Sequence, residues 1–276
     1  MSGGGVGWRW AFLFVRQERE EAACAVAARL LATPRTRNVG AEFAQVACWR
    51  WRASAVELLP LLVPQAGETA SPALAEALAT ALLSSAARRE HAALPAVLTG
   101  GAYSPYVRRP STPPVYDRAA AAELLAAKPV GIGRLKYAPE IFGALLDAGP
   151  LTFRQAAQLY NLTFRWPGRT AAEAAPLWLR HAGPTALSRL LDVMTPHLDQ
   201  YTCGEYYLSA LGRMGGHALP ALPHVTALID RRIRIPVNDS TLDAEIVLDE
   251  MLLAAALAAR DAILAGAACG EVPRVG

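Results

Sequence analysis

Alanine makes up about a fifth of the 276 residues, and leucine comes next. No other feature restricts the fold as much, because Ala and Leu lead the helix scale while Ala is depleted in strands. An all-α protein with no significant sheet is expected. Apolar residues reach 53% and charged residues only 18%, so burial can offset the entropy of ordering the chain and a disordered protein is excluded. At 29.4 kDa, surface scaling buries about three quarters of the unfolded chain's area, enough for one large domain or two small ones.

Helix starts stand out locally. Thr152/Gln155, Thr170/Glu173, Thr202/Glu205 and Ser240/Asp243 each place a hydroxyl three residues ahead of an acid or amide, the pattern of a reciprocal capping box. Ser71-Pro72 adds an N-cap followed by a first-turn proline. Glycines at Gly100-Gly101, Gly183 and Gly215-Gly216 mark stops. These signals predict about twelve helices, near 9–32, 40–64, 72–88, 91–99, 117–127, 138–148, 153–164, 171–182, 185–194, 203–213, 217–230 and 242–265.

The chain also carries degenerate internal copies. One helix ends in Ala210-Leu-Gly-Arg-Met-Gly-Gly216 and is answered by His217-Ala-Leu-Pro-Ala-Leu222. Ala92-Ala-Leu-Pro-Ala-Val97 and Ala174-Ala-Pro-Leu-Trp-Leu179 echo the second half of that pattern. Pro176 and Pro220 are 44 residues apart, and Pro60 and Pro95 are 35 apart, close to the period of about 40 to 47 of helical-hairpin repeats. The run from Leu208 to Leu222 resembles the junction between consecutive HEAT repeats, and the likeness extends from Thr170 to Leu228. It implies a HEAT-like α-α superhelix, a solenoid of the armadillo type, in which stacked hairpins share one hydrophobic seam. Longer connections at Gly101–Asp117 and Asp230–Asp239 interrupt the pattern, and the first two helices match no repeat consensus. The organisation expected is N-terminal hairpins over 1–100, a Pro/Tyr-rich loop over 101–116 and HEAT-like repeats over 117–276.

Charge adds little. The formal surplus is +3, and the cations are nearly all arginine, with Lys128 and Lys136 the only lysines. That ratio is the imprint of a GC-rich coding sequence, as in a high-GC bacterium, rather than of phosphate binding. Cys24, Cys48, Cys203 and Cys269 show no C-x-x-C spacing and read as small buried hydrophobes in a reducing compartment. The apolar stretch Ala11–Val15 is too short for a signal peptide, and Met251–Ala259 stops at Arg260-Asp261, short of a span of about 20 apolar residues. A soluble, cytoplasmic protein with a buried C-terminal helix and no membrane contact is expected.

Several constellations invite chemistry. Gly131-Ile-Gly133 lacks the third glycine of a phosphate loop and reads as a turn. Cys203, near His197, Asp199 and Glu205, sits where a helix dipole can activate a thiol, although a capped start with a buried cysteine accounts for the same residues. His217 and His224 lie two turns apart with no third ligand, so no metal is expected. Acidic residues gather at Glu18, Glu20 and Glu21, and at Asp243, Glu245, Asp249 and Glu250; dipole complementarity and a solvated face explain both groups. Trp8-Arg9-Trp10 and Trp49-Arg50-Trp51-Arg52 interleave rings and cations, which can stack on bases and meet phosphates. Arg231-Arg232-Ile233-Arg234 falls in a predicted loop that can meet an acidic partner.

With no catalytic signature and no cofactor motif, the expected function is a non-catalytic scaffold that binds a protein partner on the concave face of the solenoid. Tyr160, Asn161, Arg165, Tyr206, Tyr207 and Arg213 fall on that face, and Tyr103, Tyr106, Arg108 and Arg109 on the Pro/Tyr-rich loop; Tyr and Arg are frequent interface anchors. The resemblance also implies an alternative, because HEAT-like families include DNA glycosylases and bilin lyases that hold substrate in the same concavity.

Overall fold

The computed structural model describes residues 6–65, 71–91, 114–127, 137–235 and 241–269. The chain divides into two compact units, Met1–Val107 with Arg231–Glu250, and Arg108–Asp230 with Met251–Gly276. Among the described residues there is no strand, and one isolated antiparallel bridge joins Trp51 to Ile233. The all-α expectation is met.

In the first unit, α1 (Val6–Arg16), α2 (Glu20–Leu31), α3 (Arg37–Arg50), α4 (Ser54–Leu62), α5 (Pro72–Leu82) and α6 (Ser85–Glu90) follow one another. Each packs on the next, while α3 also packs on α1 and α5, and α4 on α2 and α6. Small residues permit that closeness: a Cβ on Gly40 of α3 would lie 2.6 Å from the Leu31 backbone nitrogen at the end of α2. Phe43, Trp51, Leu58, Leu59, Leu62 and Ile246 fill the core.

The expected helices 9–32, 40–64 and 72–88 are each two helices, for three different reasons. Glu18 adopts a left-handed backbone, φ 54°, which ends the first. Trp51 is extended, φ −120° and ψ 135°, because it pairs with Ile233. Ser84 turns out of the helix and caps α6 by accepting from the Ala87 N–H.

The second unit contains α7 (Arg118–Ala127), α8 (Ala138–Ala148), α9 (Phe153–Phe164), α10 (Arg169–Ala182), α11 (Leu187–Met194), α12 (Gly204–Met214) and α13 (Leu222–Asp230). Here α8, α10 and α12 pack in succession, with α7 against α8 and both α9 and α11 against α10. One cluster centres on Ile141, Phe142, Leu145 and Leu159, another on Tyr207, Leu208, Leu211, Met214 and Val225. The Thr152/Gln155 capping box forms as expected, and so does the Ser71 cap. Thr170 and Thr202 do not cap: α10 begins one residue before Thr170, after Gly168, and Cys203 occupies the N-cap of α12. Thr241 caps the last helix, its Oγ1 accepting from the Ala244 N–H; Ser240 lies outside the described residues, as do Gly131–Gly133 and the expected helix 91–99 apart from His91.

The prolines used to read a period occupy unlike positions. Pro60 sits near the end of α4, Pro176 in the middle of α10 and Pro220 in the 3-10 helix Gly215–Ala221, while Pro95 is outside the described residues. Their spacing therefore marks no common structural site.

The last helix, α14 (Leu242–Ala268), contributes its first nine residues to one unit and the remainder to the other. By length and composition it is apolar enough to cross a membrane, with a mean hydropathy of 1.6. It was expected to be a buried core helix, but only a stripe of it is enclosed. Ile246 and Asp249 are buried in the first unit and Leu252, Ala256, Ala259 and Ile263 in the second, the spacing of a single helical face.

Candidate functional site

The basic and acidic motifs of the first unit answer one another. Trp49–Arg52 and Arg231–Arg234 run antiparallel, the Arg52 N–H donating to the Arg232 carbonyl at 3.0 Å and the Arg234 N–H to the Arg50 carbonyl at 2.9 Å. Behind them Asp249, wholly buried, accepts two hydrogen bonds from Arg52, at 2.8 and 2.9 Å. It also pairs with Arg231 and Arg234, each at 3.2 Å. Burial pushes the Asp249 carboxyl up, but the Arg52 hydrogen bond and the charges of Arg52, Arg234 and Arg231 outweigh it and hold the group below the usual aspartate value.

Arg234, 2% exposed, donates to the carbonyls of Cys48, Trp49 and Trp51, capping the C-terminal end of α3 where a cation complements the dipole. Glu245 accepts from the Trp49 indole at 2.6 Å, and Glu250 from both the Ser85 amide and its hydroxyl. Arg232 reaches Glu20 at 2.8 Å. The Trp-Arg run and the arginines of 231–234, read above as candidate contacts for nucleic acid or an acidic partner, are thus corrected: their rings and guanidinium groups hold the fold, and Trp49 and Trp51 are buried. Beside this network, a cavity of about 330 Å³ is lined by Glu18, Arg19, Glu20, Trp51 and Arg232.

The second unit holds another cavity. A cavity of about 380 Å³ crosses the three stacked helices, with Pro139, Glu140 and Gly143 from α8, Glu173 and Leu177 from α10, and Tyr206, Ser209 and Arg213 from α12. Positions 140 and 143, 173 and 177, and 206, 209 and 213 each recur at helical spacing, so one face of every helix is turned to it. Glu173 pairs with Arg169 at 2.7 Å, and the Arg169 guanidinium lies 5.4 Å from the centre of the Tyr206 ring. Arg213 donates to the Glu173 carbonyl at 3.3 Å and feels the charges of Glu173 and Glu140. Glu140 Oε2 is buried and has no hydrogen-bond partner among the described residues. A Cβ built on Gly143 meets nothing within 4 Å, so this glycine leaves free space inside a helix that would be steadier with alanine.

Of the residues read from sequence as partner anchors, Tyr206 and Arg213 line this cavity. Tyr207 does not. Its side chain is fully buried, stacks on His197 with ring centres 5.4 Å apart, and accepts from the Gly168 N–H at 3.0 Å, so it is a core residue rather than a surface anchor. Tyr160 lies elsewhere, in a cluster with Phe164 and Trp178, and Arg189 covers both Tyr160 and Phe164 at 4.9 and 4.8 Å. Asn161 and Arg165 are exposed, the latter beside the exposed Trp166. Tyr103, Tyr106, Arg108 and Arg109 lie outside the described residues. Sequence reading missed Glu140, Glu173, Arg189 and Gly143; only Gly143, a glycine midway along a strongly helical segment, carried a signal.

The remaining chemical candidates are weak. Burial raises the Cys203 thiol, a Thr202 hydrogen bond lowers it and Asp199 raises it, so the net shift is away from the thiolate a nucleophile needs. Among the described residues, no three His, Cys, Asp or Glu side chains are grouped to hold a metal ion. In comparisons with known proteins, no family model, no curated protein and no solved structure matches the chain.

Proposed function

We propose that this protein is a non-catalytic binding scaffold of HEAT-like build, and that the groove across α8, α10 and α12 receives an extended segment of a protein partner. The observation that carries the reading is an open cavity built from three successive packed helices, each turning polar or charged side chains toward it. Recurrent packing between alternate helices in both units is the arrangement that stacked hairpins require. The free thiols Cys24, Cys48, Cys203 and Cys269 accord with a reducing, cytoplasmic setting. The nucleic-acid alternative loses the support of the Trp49–Arg52 and Arg231–Arg234 motifs, whose arginines are committed to Asp249, Glu250, Glu20 and backbone carbonyls, and keeps that of Trp8-Arg9-Trp10, where Arg9 and Trp10 are exposed.

The test is a paired capture. Wild-type protein and the Gly143→Leu variant, whose new side chain fills the cavity, are immobilised and used to capture proteins from the source organism's lysate. A partner retained by the wild type and lost from the variant, with circular dichroism and thermal midpoint preserved, is the expected result. Equal capture by both proteins would overturn the assignment of the groove.

A further inference from the structure

We propose that the aromatic and cationic patch formed by α9, α10 and α11 is a second binding surface, which takes an acidic side chain, Asp or Glu, of a protein segment through Arg189. The inference does not depend on the groove, because none of the residues that carry it lines that cavity.

Arg189 of α11 is exposed, and its guanidinium lies 4.9 Å from the centre of the Tyr160 ring and 4.8 Å from that of Phe164. Trp178 of α10 meets both rings edge-on, at 5.3 and 5.9 Å. A cationic cover on three half-buried rings would explain the stack by itself. Such a cover uses only the flat face of the guanidinium, whereas its N–H donors lie in the plane. Arg118, Arg169, Arg180 and Arg213, exposed like Arg189, each reach a carboxylate or a carbonyl. Arg189 reaches neither among the described residues, so its fork of donors is unspent and open to solvent. The rings beneath hold that fork in place, which reduces the rotamer entropy lost when a ligand binds.

The surroundings set the sign of that ligand. No acid occurs on α9, and Arg154 and Arg165, near its two ends, are exposed without a carboxylate partner among the described residues. On α10 the one acid, Glu173, is paired with Arg169, and on α11 the one acid is Asp192. Arg154, Arg165 and Arg189 thus outweigh a single uncommitted carboxylate, and the patch favours an anion.

A nucleic-acid strand carries the same sign, but it needs ring faces open for stacking. Arg189 covers Tyr160 and Phe164. The open rings, Phe153 and Trp166, stand at opposite ends of α9, and a helix of that length spans about 18 Å, too far for neighbouring bases. A side-chain carboxylate needs only the fork, which it can meet with two parallel hydrogen bonds. Trp166, exposed beside Arg165, adds an apolar contact of the kind that anchors protein interfaces.

The experiment pans a phage-displayed library of random dodecapeptides on the intact protein, with counter-selection on Arg189→Gln to remove peptides that bind elsewhere. Selected sequences are then measured as synthetic peptides by fluorescence anisotropy. They should share an Asp or Glu, and its replacement by Asn or Gln should weaken binding by about tenfold or more. Arg189→Lys, which keeps the charge but not the fork, should weaken it too. Selected peptides that lack an acid, or that bind equally well once it is neutralised, would overturn the inference, as would a failure to select any. A fluorescein-labelled oligothymidylate that displaces the peptides and binds more tightly than they do would reassign the patch to nucleic acid and overturn the choice of a protein segment. The peptide-side substitutions leave the protein untouched, so a folding defect cannot imitate the expected result.

Discussion

Asp249 shows how one residue can bind distant parts of a chain. It has no exposure, and three arginines from two segments converge on it. Removing one partner of a buried pair leaves the others uncompensated, at a cost of about 3–5 kcal/mol, so Asp249→Asn should lower the midpoint of urea unfolding sharply. Its titration has a definite sign. The folded value lies below the unfolded one, near 3.9, so the unfolded chain binds the extra proton between them. The stability from Asp249 is complete above the unfolded value and is lost as pH falls through the folded one. Glu20 works in the opposite sense: burial raises it, Arg232 and the Ser54 hydrogen bond lower it, and the net shift is upward. It therefore removes stability as pH rises past its unfolded value. Stability measured against pH for wild type and Asp249→Asn separates the two, because only the acid-side loss should vanish in the variant.

At the scale of the element, the instructive comparison is between glycines. Gly40 is required, since any Cβ would press on the backbone of α2. Gly143 has open space around it, yet it sits inside α8 where glycine costs about 0.5–1 kcal/mol relative to alanine. Gly143→Ala should therefore stabilise the protein by about that amount, read as a rise in thermal midpoint. It should also narrow the groove that Gly143 lines and weaken any ligand seated in it. A stability gain with undiminished binding would place the ligand away from α8. Helix ends were partly legible. The Thr152/Gln155 box formed because both groups belong to one turn, whereas the Thr170 pattern failed because Gly168, φ 141°, had already started the helix.

At the scale of the whole molecule, the segment Arg231–Glu250 returns to the N-terminal unit after more than a hundred residues of the other. That unit cannot be completed by the first 107 residues alone, since Arg234, Ile246 and Asp249 belong to its core and its charge network. Truncation after residue 230 should leave Arg52 without Asp249 and the end of α3 without the Arg234 cap. The expected outcome is loss of cooperative unfolding, followed through the fluorescence of Trp49 and Trp51. A truncated chain with a sharp transition and blue-shifted tryptophan emission would contradict the closing role of this segment.

The sequence by itself determined the class of the fold, because alanine content and helix-end chemistry act within a few residues of where they occur. It also named Tyr206 and Arg213, by residue type alone, among the residues that the fold brings to one cavity. Tertiary structure decided the break at Trp51, the neutralisation of the arginine-rich motifs and the burial of Tyr207. Arg52 and Asp249 are 197 residues apart, and Tyr207 meets Gly168 across 39. Nothing within a helical turn of either residue encodes such a partner. A guanidinium reads the same in sequence whether it faces solvent or a buried carboxylate, and only the packing of the chain tells the two apart.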